Sequence, residues 1–102
     1  MALSSIDPVL HPPARLQIAA VLASAQDADF GRLRAIIDAS DSVTSKHLSA
    51  LAEAGYVTVK KASVDGRQRT SASLTRAGRR AFDAHVAALR AIVEGGAALA
   101  AE

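Results

Sequence analysis

Residues 40–74 constrain this chain more than any other stretch. They read Ser-Asp-Ser-Val-Thr-Ser-Lys-His-Leu-Ser-Ala-Leu-Ala-Glu-Ala-Gly-Tyr-Val, followed by a short basic hairpin. At about 100° per residue, Thr44, Leu48, Leu51 and Ala52 share one side of a helix over 41–54. Ser42, Ser45, Lys46 and Ser49 share the other side, with Val43 and Ala50 at its edge and His47 between the two. Serine is a mediocre helix former, yet five of the thirteen positions 40–52 are Ser or Thr, so the polar face has a use beyond folding. Short donors and acceptors near a helix N-terminus reach base edges in a DNA major groove, and the helix dipole favours phosphate there. This helix is therefore expected to enter the major groove.

The rest of the chain arranges itself around that helix. Asp7-Pro8 starts a short turn through Val9-Leu10-His11, and Pro12-Pro13 pre-sets a first helix over 13–24. Asp29 is a plausible N-cap for a second helix from Phe30 to about Asp38, with Phe30, Leu33, Ile36 and Ile37 inward and Arg32 and Arg34 outward. Ala39-Ser40-Asp41 is a tight turn, Ser40 or Ser42 caps the third helix, and Gly55 supplies its left-handed end. Val57 and Val59 alternate with Thr58 and Lys60, which is strand period. A loop over 63–69 holds the Asp65-Gly66 turn signal, and 70–74 returns as a second strand. Thr75 caps a last helix expected to run from Arg76 to about Glu94 and to end at Gly95-Gly96. Two helices joined by a short turn, then a hairpin, make a winged helix-turn-helix. The fold class is mainly α with a small β-hairpin, in the order α-α-α-β-wing-β-α. Residues 1–102 form a single domain, with 1–7 and 96–102 expected to be loose.

The first and last helices carry more apolar surface than one small core requires. On the first, Ala14, Ile18, Val21, Leu22 and Ala25 share a face, and Leu16, Ala19, Ala20 and Ala23 fall opposite. On the last, Phe82, Val86, Leu89 and Val93 recur at helical spacing beside an alanine ridge. A helix apolar on two faces is buried on two faces. A second copy of the chain is the expected cover, with Leu16, Ala20, Phe82, Val86, Leu89 and Val93 at a homodimer interface.

Charge points the same way as the recognition face. Residues 46–80 hold eight of the twelve Lys and Arg side chains but only two of the ten Asp and Glu, a net of +6; the segments on either side are each net −2. One contiguous basic third is the footprint of a polyanion-binding surface. Lys60 and Lys61 precede the Asp65-Gly66 turn, and Arg67 and Arg69 follow it. Such a wing, over 60–70, is suited to the DNA backbone or the minor groove, where arginine meets a negative potential. The expected DNA-binding residues are Ser42, Val43, Ser45, Lys46, His47, Ser49, Lys60, Arg67 and Arg69. A winged helix used only to dock another protein is the alternative, and it would present bulky exposed apolar residues in place of the hydroxyls and cations.

The segments Leu48-Ser-Ala-Leu-Ala-Glu-Ala-Gly-Tyr-Val57, Leu74-Thr-Arg-Ala-Gly78 and Asp7-Pro-Val-Leu-His-Pro-Pro-Ala-Arg-Leu16 together resemble the short, single-domain winged-helix transcriptional regulators of the MarR and ArsR groups. The resemblance covers about residues 6–94. It implies a homodimer joined through the first and last helices, with the third as recognition helix. The family's Ser-Arg-His-Leu appears as Ser45-Lys46-His47-Leu48, and its usual preceding leucine is Thr44. A hydroxyl where a core methyl is usual predicts a weaker seat for the recognition helix.

Other chemistries lack support. With no cysteines there are no disulfides and no thiolate metal sites. Asp83-x-His85 resembles the start of the metal motif of ArsR-type sensors, but the downstream positions fall on Gly96 and Leu99, so no metal and no cofactor is expected. No Gly-rich phosphate loop follows a strand, and no Ser-x-x-Lys or Gly-x-Ser-x-Gly motif occurs, so no enzyme is expected. Three aromatic residues are too few for a single-strand stacking platform. No apolar run approaches the ~20 residues of a membrane span, and the N-terminus lacks signal-peptide features, so a cytoplasmic protein without membrane contact is expected. The expected partners are a palindromic duplex operator and a second copy of the chain. A small-molecule effector would have its place in the cleft between the dimer helices.

Overall fold

A computed structural model describes residues 5–101. The elements are α1 (Pro13–Ser24), β1 (Ala28–Asp29), α2 (Phe30–Ile37), α3 (Asp41–Glu53), β2 (Val57–Val64), β3 (Arg67–Leu74) and α4 (Arg76–Ala101). The antiparallel sheet has the order β1-β3-β2. This is the winged helix-turn-helix expected from the sequence, with one strand added. Ala28 pairs with Ala72 and Asp29 with Ser71, and two residues are too few to show a period.

Caps fix the helix boundaries. Pro13 opens α1. Asp29 accepts the Arg32 N–H at the start of α2, and Ser40 accepts the Val43 N–H at the start of α3. At the far end of α3, Tyr56 N–H donates to the Leu51 carbonyl and Gly55 N–H to the Ala52 carbonyl, both at 2.9 Å, with Gly55 at φ +81°. That is a Schellman turn, which needs a left-handed residue at this position. The core packs Leu10, Ile18, Leu22, Leu33 and Leu51, all fully buried, against Val57 and Ala72 of the sheet. On α1 both expected faces contribute, since Ile18 and Leu22 are buried together with Ala19; Leu16 is half-buried and Ala20 is exposed.

Thr44 sits in the core beneath α3. It is fully buried, and its hydroxyl donates to the Ser40 carbonyl one turn back at 2.8 Å. The polar atom is satisfied within the helix, so it leaves no orphaned group in the core. The hairpin is also tighter than the 63–69 loop expected. Strand pairing continues to Val64 opposite Arg67, leaving only Asp65 and Gly66 in the turn, at φ +51° and +76°. Two successive positive φ values are those of a type I′ turn, whose twist matches the strands it joins.

Among the described residues, hydrogen-bonded structure extends into both end segments. The turn after Asp7 is held by Leu10 and His11 N–H groups donating to the Asp7 carbonyl, and by Val9 N–H donating to its carboxyl. Gly95-Gly96 does not end α4, which continues to Ala101. Alanine, the best helix former, fills 97, 98, 100 and 101 after the pair. The expected looseness of 1–4 and of residue 102 lies outside the described residues. The added length also revises the membrane-span reading. An 18-residue window of α4 has a mean hydropathy of 1.3, so by length and composition alone this helix could cross a membrane. Arg90 and Glu94 lie in the same half of the helix.

Candidate nucleic-acid interface

The N-terminal turns of α3 form one outward surface. Ser42, Ser45, Lys46 and Ser49 are exposed, Val43 is 42% exposed at the edge, and His47 is half-buried. The start of the helix is braced twice. Ser40 Oγ lies 3.3 Å from Ser42 Oγ, and the Arg34 guanidinium of α2 pairs with Asp41 at 2.5 Å. These contacts tie the start of α3 to α2, while Ser45, Lys46 and Ser49 lie exposed.

The wing divides its cations between two faces. Side chains alternate along a strand, so the register places Lys60, Arg67 and Arg69 on one face with Thr58 and Ser71. Lys61 falls on the other face, with Val57 and Val59. There it lines a groove of about 530 Å³ with Ser45, Ser49, Val59 and Thr70, between α3 and the hairpin. Lys61 thus shares a groove with outward residues of α3. Counting in twos from Val57 was the signal that would have added it to the expected site. Arg67 stands beside the turn, opposite Val64. Among the described residues, Lys46, Lys60, Lys61 and Arg67 enter no ion pair.

Arg69 is placed differently from the other expected contacts. Its Nη2 donates to Asp29 Oδ2 at 2.9 Å. The Asp29 carboxyl is held below the ordinary carboxylate range by the Arg32 backbone N–H first and by Arg69 second. Arg79, at the start of α4, also has a partner: its Nη1 donates to the Ala23 carbonyl at the end of α1, 3.1 Å away. A cation at that carbonyl end offsets its poor position at the N-terminus of α4.

Behind the surface lies a polar cluster that sequence reasoning missed. Tyr56 Oη donates to Asp7 Oδ2 at 2.5 Å, and the Asp7 N–H donates to His85 Nδ1 at 3.0 Å. The hydrogen bond to Asp7 is the main cause raising the Tyr56 pKa above its usual value. His85 is fully buried, and its Nε2 has no partner among the described residues. Burial first, and then nearby His11, push its pKa below the usual imidazole value, against the pull of Asp7. The His11 and His85 rings meet edge to face at 5.6 Å. Among the described residues no group of three or more His, Cys, Asp or Glu side chains is arranged to hold a metal.

This cluster yields a pH prediction. The folded chain keeps His85 neutral, whereas the unfolded chain takes up a proton near pH 6.5. The neutral form contributes stability above that pH, and the contribution is lost as pH falls toward the depressed folded value. Urea denaturation at stepped pH should therefore show wild type losing more stability below pH ~6.5 than His85→Gln does. Parallel curves would remove His85 from the account.

A capped helix-turn-helix unit beside a wing that carries Lys60, Lys61 and Arg67 defines a winged helix-turn-helix of the DNA-binding class. The chain belongs to the winged helix DNA-binding domain family, whose sequence model matches residues 14–93. It is 30% identical over 78 residues to an uncharacterised protein of Methanocaldococcus jannaschii, covering 76% of this chain and 85% of that one. Its structure is similar to a transcriptional regulator homologue from Pyrococcus horikoshii, with a TM-score of 0.85, 26% identity and coverage of 92% and 95% of the two chains. It is also similar to a MarR-family transcriptional regulator from Silicibacter pomeroyi, with a TM-score of 0.66, 25% identity and coverage of 81% and 55%. The family is one of DNA-binding domains, and the two solved structures are a transcriptional regulator and a homologue of one.

Proposed function

We propose that the protein is a cytoplasmic, homodimeric, sequence-specific regulator that represses transcription by occupying a palindromic duplex operator. The observation that carries this reading is the continuous surface made by Ser42, Ser45, Lys46 and Ser49 of α3 with Lys61 across the groove. The N-terminal half of α3 enters the major groove, where Ser42, Ser45, Lys46 and Ser49 meet base edges or phosphates and Val43 meets apolar base surface. His47 borders this contact. Lys60 and Arg67 on the wing meet the backbone or the minor groove. The exposed valines nearby, Val43, Val59 and Val64, are small and scattered, which is poor material for a protein-docking hot spot. Repression needs only a DNA face and a dimer face, the two surfaces for which the described residues supply material.

Dimerisation is inferred from the shape of α4. Residues 91–101 are exposed throughout, with Val93 at 71% and Leu99 at 73%. The radius of gyration is 15.6 Å, against about 13 Å for a compact chain of this length. The excess comes from a helix on whose far half no other described residue packs. A second copy would cover it, together with Phe82, Val86 and Leu89, which are half-buried in one chain. The groove beside Phe82, Val86 and Arg90 would then become an enclosed cleft between dimer helices, the place for a small-molecule effector. Leu89→Asp should yield monomers in sedimentation, and an unchanged dimer would put the interface elsewhere.

The test of base reading is a duplex selected from a random pool, compared with an unselected one. Lys46→Ala or Ser42→Ala should narrow the affinity difference between the two by about 1–3 kcal/mol, whereas Arg67→Ala should weaken both equally. Equal losses on both duplexes from the α3 variants would contradict the base-reading assignment.

A further inference from the structure

We infer that Arg69 is a wing-positioning residue held by Asp29, and that it is not among the phosphate contacts. The inference rests on the DNA-binding reading and refines it. Asp29 joins three elements at once. Its Oδ1 accepts the Arg32 N–H at 2.8 Å and caps α2, its backbone pairs with Ser71 of β3, and its Oδ2 takes the Arg69 guanidinium. The carboxyl is thus fixed at the helix start before Arg69 meets it, and the arginine draws the outer part of β3 toward α2.

Arg67, two residues earlier on the same face, is in the opposite situation. It adjoins the turn and enters no ion pair among the described residues. For Arg69 to reach a phosphate it must share its guanidinium with Asp29, whose carboxylate would face the same phosphate. Arg67 meets neither obstacle. The chain of braces runs on from α2 to α3 through Arg34 and Asp41. Wing and recognition helix are therefore tied to one helix, α2, and the Asp29–Arg69 pair sets how far the wing reaches round the duplex while α3 sits in the groove.

The experiment measures binding of a selected and a random duplex across a salt series for wild type, Arg67→Ala, Arg69→Ala and Asp29→Asn. Asparagine keeps a side-chain oxygen for the Arg32 N–H and removes the charge. Arg67→Ala should lower the slope of log affinity against log salt by about 1 per protomer. Arg69→Ala should leave that slope unchanged and cut the preference for the selected duplex several-fold. Asp29→Asn should release Arg69, steepen the slope, tighten binding to random duplex and lower the preference. A slope that falls for Arg69→Ala as it does for Arg67→Ala overturns the inference, and so does an unchanged preference. If wild type binds no duplex, the DNA reading fails by itself. The brace is then judged by amide exchange in the free protein: faster exchange at Ser71 and Ala72 in Arg69→Ala supports it, and unchanged rates overturn it.

Discussion

Duplex affinity is expected to fall by about 10³–10⁵-fold between about 50 and 200 mM salt. Four cations of α3 and the wing, Lys46, Lys60, Lys61 and Arg67, enter no ion pair among the described residues, so the proposed dimer would bring eight. Each phosphate neutralised releases counterion, so eight contacts give a slope of about −7 in log affinity against log salt. Fluorescence anisotropy with a labelled duplex reads this directly. A slope about half as steep would mean that only one protomer engages the DNA. A flat response with every duplex tried would falsify the DNA-binding reading and favour the protein-docking alternative.

The second large effect lies away from the DNA face. Gly78→Ala should destabilise the fold by about 3 kcal/mol or more. A Cβ at this position would lie 2.1 Å from the Tyr56 carbonyl oxygen, a backbone atom. That oxygen also accepts the Thr75 N–H at 3.0 Å, so it cannot withdraw without breaking a bond at the start of α4. The preference of alanine over glycine in a helix, about 1 kcal/mol, works in the opposite direction and is too small to compensate. Gly95 is the control. It sits in the same helix with open space around it, so Gly95→Ala should stabilise by up to about 1 kcal/mol. Urea midpoints for the two variants should move in opposite directions; a shift under about 1 kcal/mol at Gly78 would mean that the contact relaxes more easily than its geometry suggests.

Sequence reasoning succeeded where a single residue type has a local job. Pro13, Asp29, Ser40, Gly55 and Thr75 each mark a helix end within a few residues of themselves, and the helix order follows from them. Lys61 was equally legible from strand period. Contacts between distant residues were not. Tyr56 meets Asp7 across 49 positions, and Asp7 meets His85 across 78. Nothing in the neighbourhood of any of these three residues announces its partner. The Arg69–Asp29 pair spans 40 positions and was hidden in the same way, so all the wing cations looked equivalent. The glycine pair in α4 misled for a different reason. Glycine permits a helix end without requiring one, and the alanines around it decide the outcome.

The joint at Gly55 and Thr75 has a mechanical consequence. Thr75 Oγ1 donates to the Gly55 carbonyl at 2.6 Å and accepts the Gly78 N–H at 2.9 Å, so the last turn of α3 and the first turn of α4 are clamped together. A helix of the length of α4 reaches about 39 Å from that clamp. At the end of such an arm, about 3 Å of sideways travel corresponds to a rotation of only about 5° at the joint, by the same helix dimensions. The far end of α4 is the lever and α3 is the load. On the dimeric reading proposed above, a shift of the α4 tail would tilt α3 by a few degrees through this joint and so alter the spacing of the two α3 tips along a duplex.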